Sequence, residues 1–323
     1  MEESPGTDEP FVAINIASLR LDTTTGFDLY IRVRPNDPLV LYARANVPFS
    51  DKARKRLIQS KVERLYIDEG QETQYRRYLA SNLSAILADP AISTENKAEI
   101  LHTSAQGLVR EILDDPRIEG GIDRTKEVMR NTIGFLFGQK GAVRQMIVGA
   151  SYDYYMYTHS VNGCVFAIAL AQRTIVRDKR KLQDLGNGVL LRDIGMAQLS
   201  AALVDKPGTL DAHEFDMLRQ HPILGEQILF EQGGLSSDAL GVVRHHHEKL
   251  DGTGYPDGIS GRKISPFIRA CTIADIFDAL TTRRPQRRAM SSFDALRLMK
   301  NEMQKELDQD LLLAFIHLLG HPD

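Results

Sequence analysis

The chain has little cysteine: Cys164 and Cys271 are the only two in 323 residues, and they form no CxxC pair. Such sparse, distant thiols support neither a disulfide framework nor a thiolate zinc site. Basic excess is missing too, the formal net charge being -3. That argues against a general binder of nucleic-acid polymers, which meets its phosphates with surplus Lys and Arg. A single nucleotide ligand needs only a few local cations and stays open. Long apolar runs are absent as well. The longest, Val161 to Ala171, has Asn162 and Gly163 inside it and is too short to span a bilayer. The opening residues, MEESPGTDEP, are acidic and polar, the reverse of a secretory signal. The expectation is a soluble, cytoplasmic protein that does not enter membranes. No short-period repeat, P-loop or Gly-rich dinucleotide fingerprint occurs.

What is present is enough apolar material for a real core, 42% of residues, in a chain whose length suits two domains. Residues 1–10 read as a disordered tail. Residues 11–90 read as a small α/β domain of unknown role. Its strands are FVAINI, FDLYIRV, LVLYARA and VERLYI; a helix from Asp51 to Gln59 has Ser50 as N-cap, and Tyr75 to Leu87 has helical spacing. Asp89-Pro90 breaks that element. Residues 91–140 read as a helical connector, with helices over 94–138 separated near Asp115-Pro116 and Gly120-Gly121. Residues 141–323 are almost wholly helical, with Pro and Gly confined to connections such as KPGTL and GTGYPDG. The predicted fold class is mainly α: a helical C-terminal half preceded by a small α/β domain.

Chemistry-bearing residues are scattered through that helical half. His159 opens the run SVNGCVFAIALA, Asp193 sits in LLRDIGM, His221 in HPILG, His246 and His247 in HHHEKLDGTGYPDG, and Asp275 in CTIADIFDAL. Taken singly, each histidine reads more readily as a packed or capping residue, or as part of a solvated turn. Asp193 and Asp275 stand among apolar residues, where a carboxylate is costly unless paired, capping a helix or bound to metal. Imidazoles and carboxylates together suit iron, manganese or zinc.

The ordered set HS, Asp-Ile-Gly, KPGTL, HPILG, HHE, DGTGYPDG and ADIFDALTTRRPQR resembles the HD-GYP family of the HD phosphohydrolase superfamily, over about residues 145–323. HHE followed by DGTGYPDG is the specific part. The resemblance implies a helical HD-type domain with a GYP loop, a divalent metal centre and hydrolysis of cyclic di-GMP. It implies His159, Asp193, His221, His246, His247 and Asp275 as metal positions, with Asp193 and His221 at the chemical centre. Arg284 and Arg287 match residues that contact substrate phosphate, although RRPQRR reads equally as a solvated basic turn. Tyr255 falls in the loop bordering the pocket, where Gly252, Gly254 and Pro256 alone would explain a tight turn. The resemblance also suggests GGDEF-type proteins as partners through the GYP loop; a homodimer through the connector is compatible with the sequence.

Three positions depart from the family pattern. The namesake His-Asp pair is Arg192-Asp193, the lysine expected three residues later is Met196, and a glutamate of some members is Tyr155. Arginine has no free lone pair and cannot be a ligand. One metal position therefore loses a ligand and gains a positive charge, and Arg192 is expected either to pair with Asp193 and Asp275 or to turn outward to a surface acid. One ion rather than two is expected, iron or manganese favoured, held by Asp193, His221, His246 and His247. The expected function is a cyclic di-GMP phosphodiesterase-type signalling protein with a weakened catalytic site. The alternatives are a non-catalytic sensor or adaptor on the same scaffold, and an enzyme for another phosphate ester.

Overall fold

The computed structural model describes residues 11–34, 37–150, 156–204, 206, 208–283 and 288–321. The chain divides into two compact units, residues 1–104 and 105–323. The expected tail, residues 1–10, lies outside the described residues.

The first unit is built on a four-stranded antiparallel sheet of order β1-β4-β2-β3, where β1 is Phe11–Asn15, β2 Leu29–Ile31, β3 Val40–Ala43 and β4 Arg64–Asp68. In β1 and β4, Ile14 pairs with Leu65 and Val12 with Ile67. Ile14, Leu65 and Ile67 are buried, with Leu29 of β2 and Phe27 just before it. The connecting helix α1, Asp51–Gln59, starts where Ser50 accepts a hydrogen bond from the Ala53 amide, satisfying one of the free donors of a helix start. Helix α2, Glu72–Ala88, buries Leu79, Leu83 and Ile86 at helical spacing. The Phe27 ring meets Tyr75 and Tyr78 of α2 edge-on at 5.5 and 5.6 Å.

Helix α3 runs Thr94–Asp114, across the division between units. The second unit continues with α4, Gly121–Gly138, and α5, Ala142–Val148. Its centre is α6, Met156–Thr174, buried almost all round, packed against α7, Lys179–Leu191. After the 3-10 turn Ile194–Gln198 come three short helices and a fourth of medium length: α8 Ala201–Val204, α9 Ala212–Leu218, α10 His221–Gln232 and α11 Ser237–His245. A loop holding Tyr255, with a cis peptide before Pro256, leads to α12, Pro266–Thr281, then α13, Ser292–Glu302, and α14, Gln309–Gly320. Phe166 of α6, Phe277 of α12 and Phe315 of α14 meet edge-to-face, with centroids 5.1–5.9 Å apart. This aromatic trio locks three helices together. Both cysteines are free and buried, and burial pushes the Cys164 thiol up to about 12, as suits packed rather than reactive thiols. Among the described residues no helix is long and apolar enough to cross a membrane.

Candidate metal centre

Short helix ends bring the site together. Asp193 stands between α7 and the 3-10 turn, His221 opens α10, and His246 and His247 follow the last turn of α11. The 3-10 turn lies directly on the start of α10. A Cβ added at Gly195 would sit 1.9 Å from the His221 carbonyl oxygen, so only glycine allows this approach. Gly195→Ala should lower stability by about 1–3 kcal/mol and move Asp193 away from His221. Chemical denaturation with a parallel metal titration checks both parts; unchanged values would refute the close approach.

Four ligand-type side chains converge: Asp193, His221, His246 and His247 offer atoms all within 4.8 Å of one another. His221 donates Nδ1–H to the Leu218 carbonyl and His246 donates Nδ1–H to the Val243 carbonyl, both at 2.8 Å. Each Nε2 then carries the lone pair. The two Nε2 atoms face each other at 3.3 Å, and Asp193 Oδ1 lies 3.5 and 3.7 Å from them. Two bare lone pairs at that distance repel unless something positive lies between them. Burial lowers the pKa of His221 against the opposing pull of Asp193, takes His246 down to about 4 for the same reason, and holds His247 well below the ordinary value. At neutral pH all three are neutral imidazoles, the form that binds metal. Asp193 remains ionised, since the Arg192 guanidinium works against burial and its pKa is depressed. Its buried Oδ2 receives no hydrogen bond among the described residues. This donor set fits one divalent cation.

The other half of the site is filled by protein. Arg192 is fully buried and points inward. Its Nε lies 3.0 Å from Asp275 Oδ1 and 3.4 Å from Asp193 Oδ2. Nη1 donates to the Val189 carbonyl at 3.0 Å and Nη2 to the His159 carbonyl at 3.3 Å. The guanidinium rests on Gly163 of α6, where an added Cβ would lie 2.9–3.2 Å from Nη1, Nη2 and Cζ. His159 belongs to this network rather than to the four-residue cluster. Its Nε2 is 3.0 Å from Asp275 Oδ1 and its Nδ1 is 2.6 Å from Asp278 Oδ2. Burial and Arg192 work against protonating His159, yet the two carboxylates prevail and raise its pKa. Asp275 is likewise paired with Arg192, though its Oδ2 is 3.7 Å from His247 Nδ1. Of the alternatives for Arg192, the inward one is realised.

Asp278 was not singled out by sequence reasoning, nor was Asn162, whose Nδ2 donates to Asp278 Oδ1 at 2.8 Å. The available signal was spacing: Asp278 follows Asp275 by three residues and shares its helix face. Asp278→Asn should lower the His159 pKa, because one of its two carboxylate partners becomes neutral; histidine-detected NMR titration checks this, and an unchanged pKa would refute it.

Tyr255 is stacked on His247 with centroids 4.6 Å apart. Arg284, Arg287 and Tyr155 lie outside the described residues. In a second set of ligand-type groups, His245, Glu248 and Asp257, the Asp257 carboxylate is taken by Arg244 at 2.7 and 3.0 Å.

An HD domain family model matches residues 156–311. A cyclic di-GMP phosphodiesterase of Pseudomonas aeruginosa is 29% identical over 279 residues, covering 82% of this chain and 67% of that protein. A 3'3'-cGAMP-specific phosphodiesterase of Vibrio cholerae is 38% identical over 160 residues, covering 50% of this chain and 34% of its own length. Among solved structures, an HDG"Y"P protein of Bdellovibrio bacteriovorus superposes with a TM-score of 0.67 at 22% identity, covering 96% of this chain and all of that one; that likeness speaks for the fold. Residues 156–311, which hold all four residues of the cluster, thus match an HD domain, and the fold is shared with that of the HDG"Y"P protein.

Proposed function

We propose that this protein is a cyclic di-GMP phosphodiesterase-type signalling protein with a one-ion centre and reduced turnover. The observation that carries the reading is the pairing of a four-donor cluster at Asp193, His221, His246 and His247 with a buried guanidinium on Asp275. The cluster would hold one iron or manganese ion, with Asp193 and His221 at the chemical centre. Such an ion supplies Lewis-acid polarisation of a phosphodiester. Neutral imidazoles keep their lone pairs available, and Arg192 keeps Asp193 and Asp275 ionised. Tyr255 forms a wall of the substrate site, and Arg284 and Arg287 are assigned to the substrate phosphates. His159 and Asp275, metal positions by resemblance, here serve the Arg192 network. The site of action is the cytoplasm, where the two unpaired cysteines stay reduced. GGDEF-type proteins at the GYP loop and a homodimer through α3 and α4 accompany this reading.

Protein purified without chelators should carry one metal ion per chain by elemental analysis; two would overturn the one-ion assignment. His246→Ala should empty the centre and lower cleavage of cyclic di-GMP by at least about a hundredfold, read by chromatography of pGpG and GMP. Neither binding nor cleavage of cyclic di-GMP by the wild type would end the proposal. A second reading, a non-catalytic sensor, is favoured by Arg192 and by Met196 in place of a lysine; tight binding with no turnover would select it.

A further inference from the structure

Arg219 lies two residues before His221, at the end of α9. Its guanidinium carbon is 4.6 Å from the centroid of Phe215 and 5.2 Å from that of Tyr255, the ring that stacks on His247. Aromatic faces hold a guanidinium by its plane and leave the N–H groups, which point along that plane, free to donate. The one acid beside it among the described residues is Asp216, 3.8 Å from Nη1, itself 73% exposed. That is a weak, solvent-screened pair. Nε is shielded from solvent and finds no acceptor among the described residues. A donor shielded in this way cannot be reached by a ligand oxygen either, so a ligand meets the Nη end of this side chain, which is 40% exposed. Among the described residues, two other arginines near the site are committed: Arg192 to Asp275 and Asp193, Arg244 to Asp257 and Glu226.

We propose that Arg219, fixed by Phe215 and Tyr255 beside His247, is a phosphate-anchoring, specificity-determining residue of this site. Its two Nη groups offer N–H donors that match two oxygens of a phosphate. The inference rests on the phosphodiester reading above and adds the group that grips the ligand when Met196 stands where a lysine would.

The full chain loaded with Mn2+ is compared with Arg219→Gln and Arg219→Lys by calorimetry, using cyclic di-GMP and, separately, inorganic phosphate. Arg219→Gln should weaken both ligands by about ten- to a hundredfold with metal content and Tm unchanged. Arg219→Lys should recover only part, since an ammonium lacks the planar fork. If Arg219→Gln binds both as the wild type does, the anchor is overturned and the phosphodiesterase reading stands. If it loses Mn2+ or melts early, Arg219 is a structural residue and the anchor is overturned. Arg219-dependent binding of phosphate without binding of cyclic di-GMP would keep the anchor and end the cyclic di-GMP reading; a wild type that binds neither ends both.

Discussion

Arg192→Met should destabilise the protein by about 3–5 kcal/mol, the usual cost of removing one partner from a buried ion pair. Methionine keeps the unbranched stem out to the ε position but leaves Asp275 and Asp193 facing each other without the cation that holds their pKa values well below the ordinary range. His159 then remains as a cation against Asp275 and Asp278, so part of the pairing survives and complete unfolding is not expected. The pH dependence follows. In the wild type these carboxylates have folded-state pKa values below their unfolded ones. Their stabilisation is therefore present above about pH 4, the unfolded value, and fades as pH falls below it. In Arg192→Met the depression is reduced, so acid unfolding should begin at higher pH. Urea denaturation from pH 3 to pH 7 measures both effects. A loss below about 1 kcal/mol, in the range of ordinary surface pairs, would show that the guanidinium is not the counter-ion of this pocket.

Arg192→His combined with Met196→Lys should raise cyclic di-GMP turnover by at least about a hundredfold and metal content from one ion to two. The first change exchanges a fixed cation for a ligand; the second adds a positive charge for phosphate. A second ion steadies both attacking and leaving oxygens of an in-line displacement, and single electrostatic contacts of this kind are each worth about 10²–10³ in rate. Gly163 leaves room for the exchange, because imidazole is smaller than the guanidinium it now accommodates. Brisk cleavage by the parent would show that Arg192 and Met196 do not limit the chemistry; a variant holding two ions without gaining activity would favour the sensor.

Much of this was legible in the residues. The strands from FVAINI to VERLYI, the Ser50 cap and the helical character after Gly141 follow from period and punctuation, and each has its counterpart in the fold. That His221, His246, His247 and Asp193 would meet was implied by the resemblance of the ordered motifs, since each residue taken singly reads more readily as structural. The sequence carried less about direction. Nothing local says that Arg192 turns inward; that depends on the gap at Gly163 one helix away. Asp278 offered only its spacing, three residues after Asp275 on the same helix face. The stack of Phe215, Arg219 and Tyr255 joins α9 to a loop about forty residues later, and such contacts leave no periodic trace. The first turns of α3 answer the sheet through Asn15, which donates to Asn96 and Glu99, a link between residues over eighty positions apart.

The two halves of the centre depend on different parts of the molecule. His221 and His246 are each aimed by a main-chain oxygen three residues earlier, Leu218 and Val243, and a peptide oxygen is supplied by every residue type. Replacing the side chains at 218 and 243 therefore leaves the aim of both imidazoles intact wherever the helix ends persist. Arg192 has such insurance only in part: its Nη groups meet the Val189 and His159 main-chain oxygens, but Nε depends on named carboxylates and the guanidinium on the absent side chain at position 163. Random mutagenesis of this domain should accordingly damage the arginine half through many neighbouring positions, and the histidine half through few.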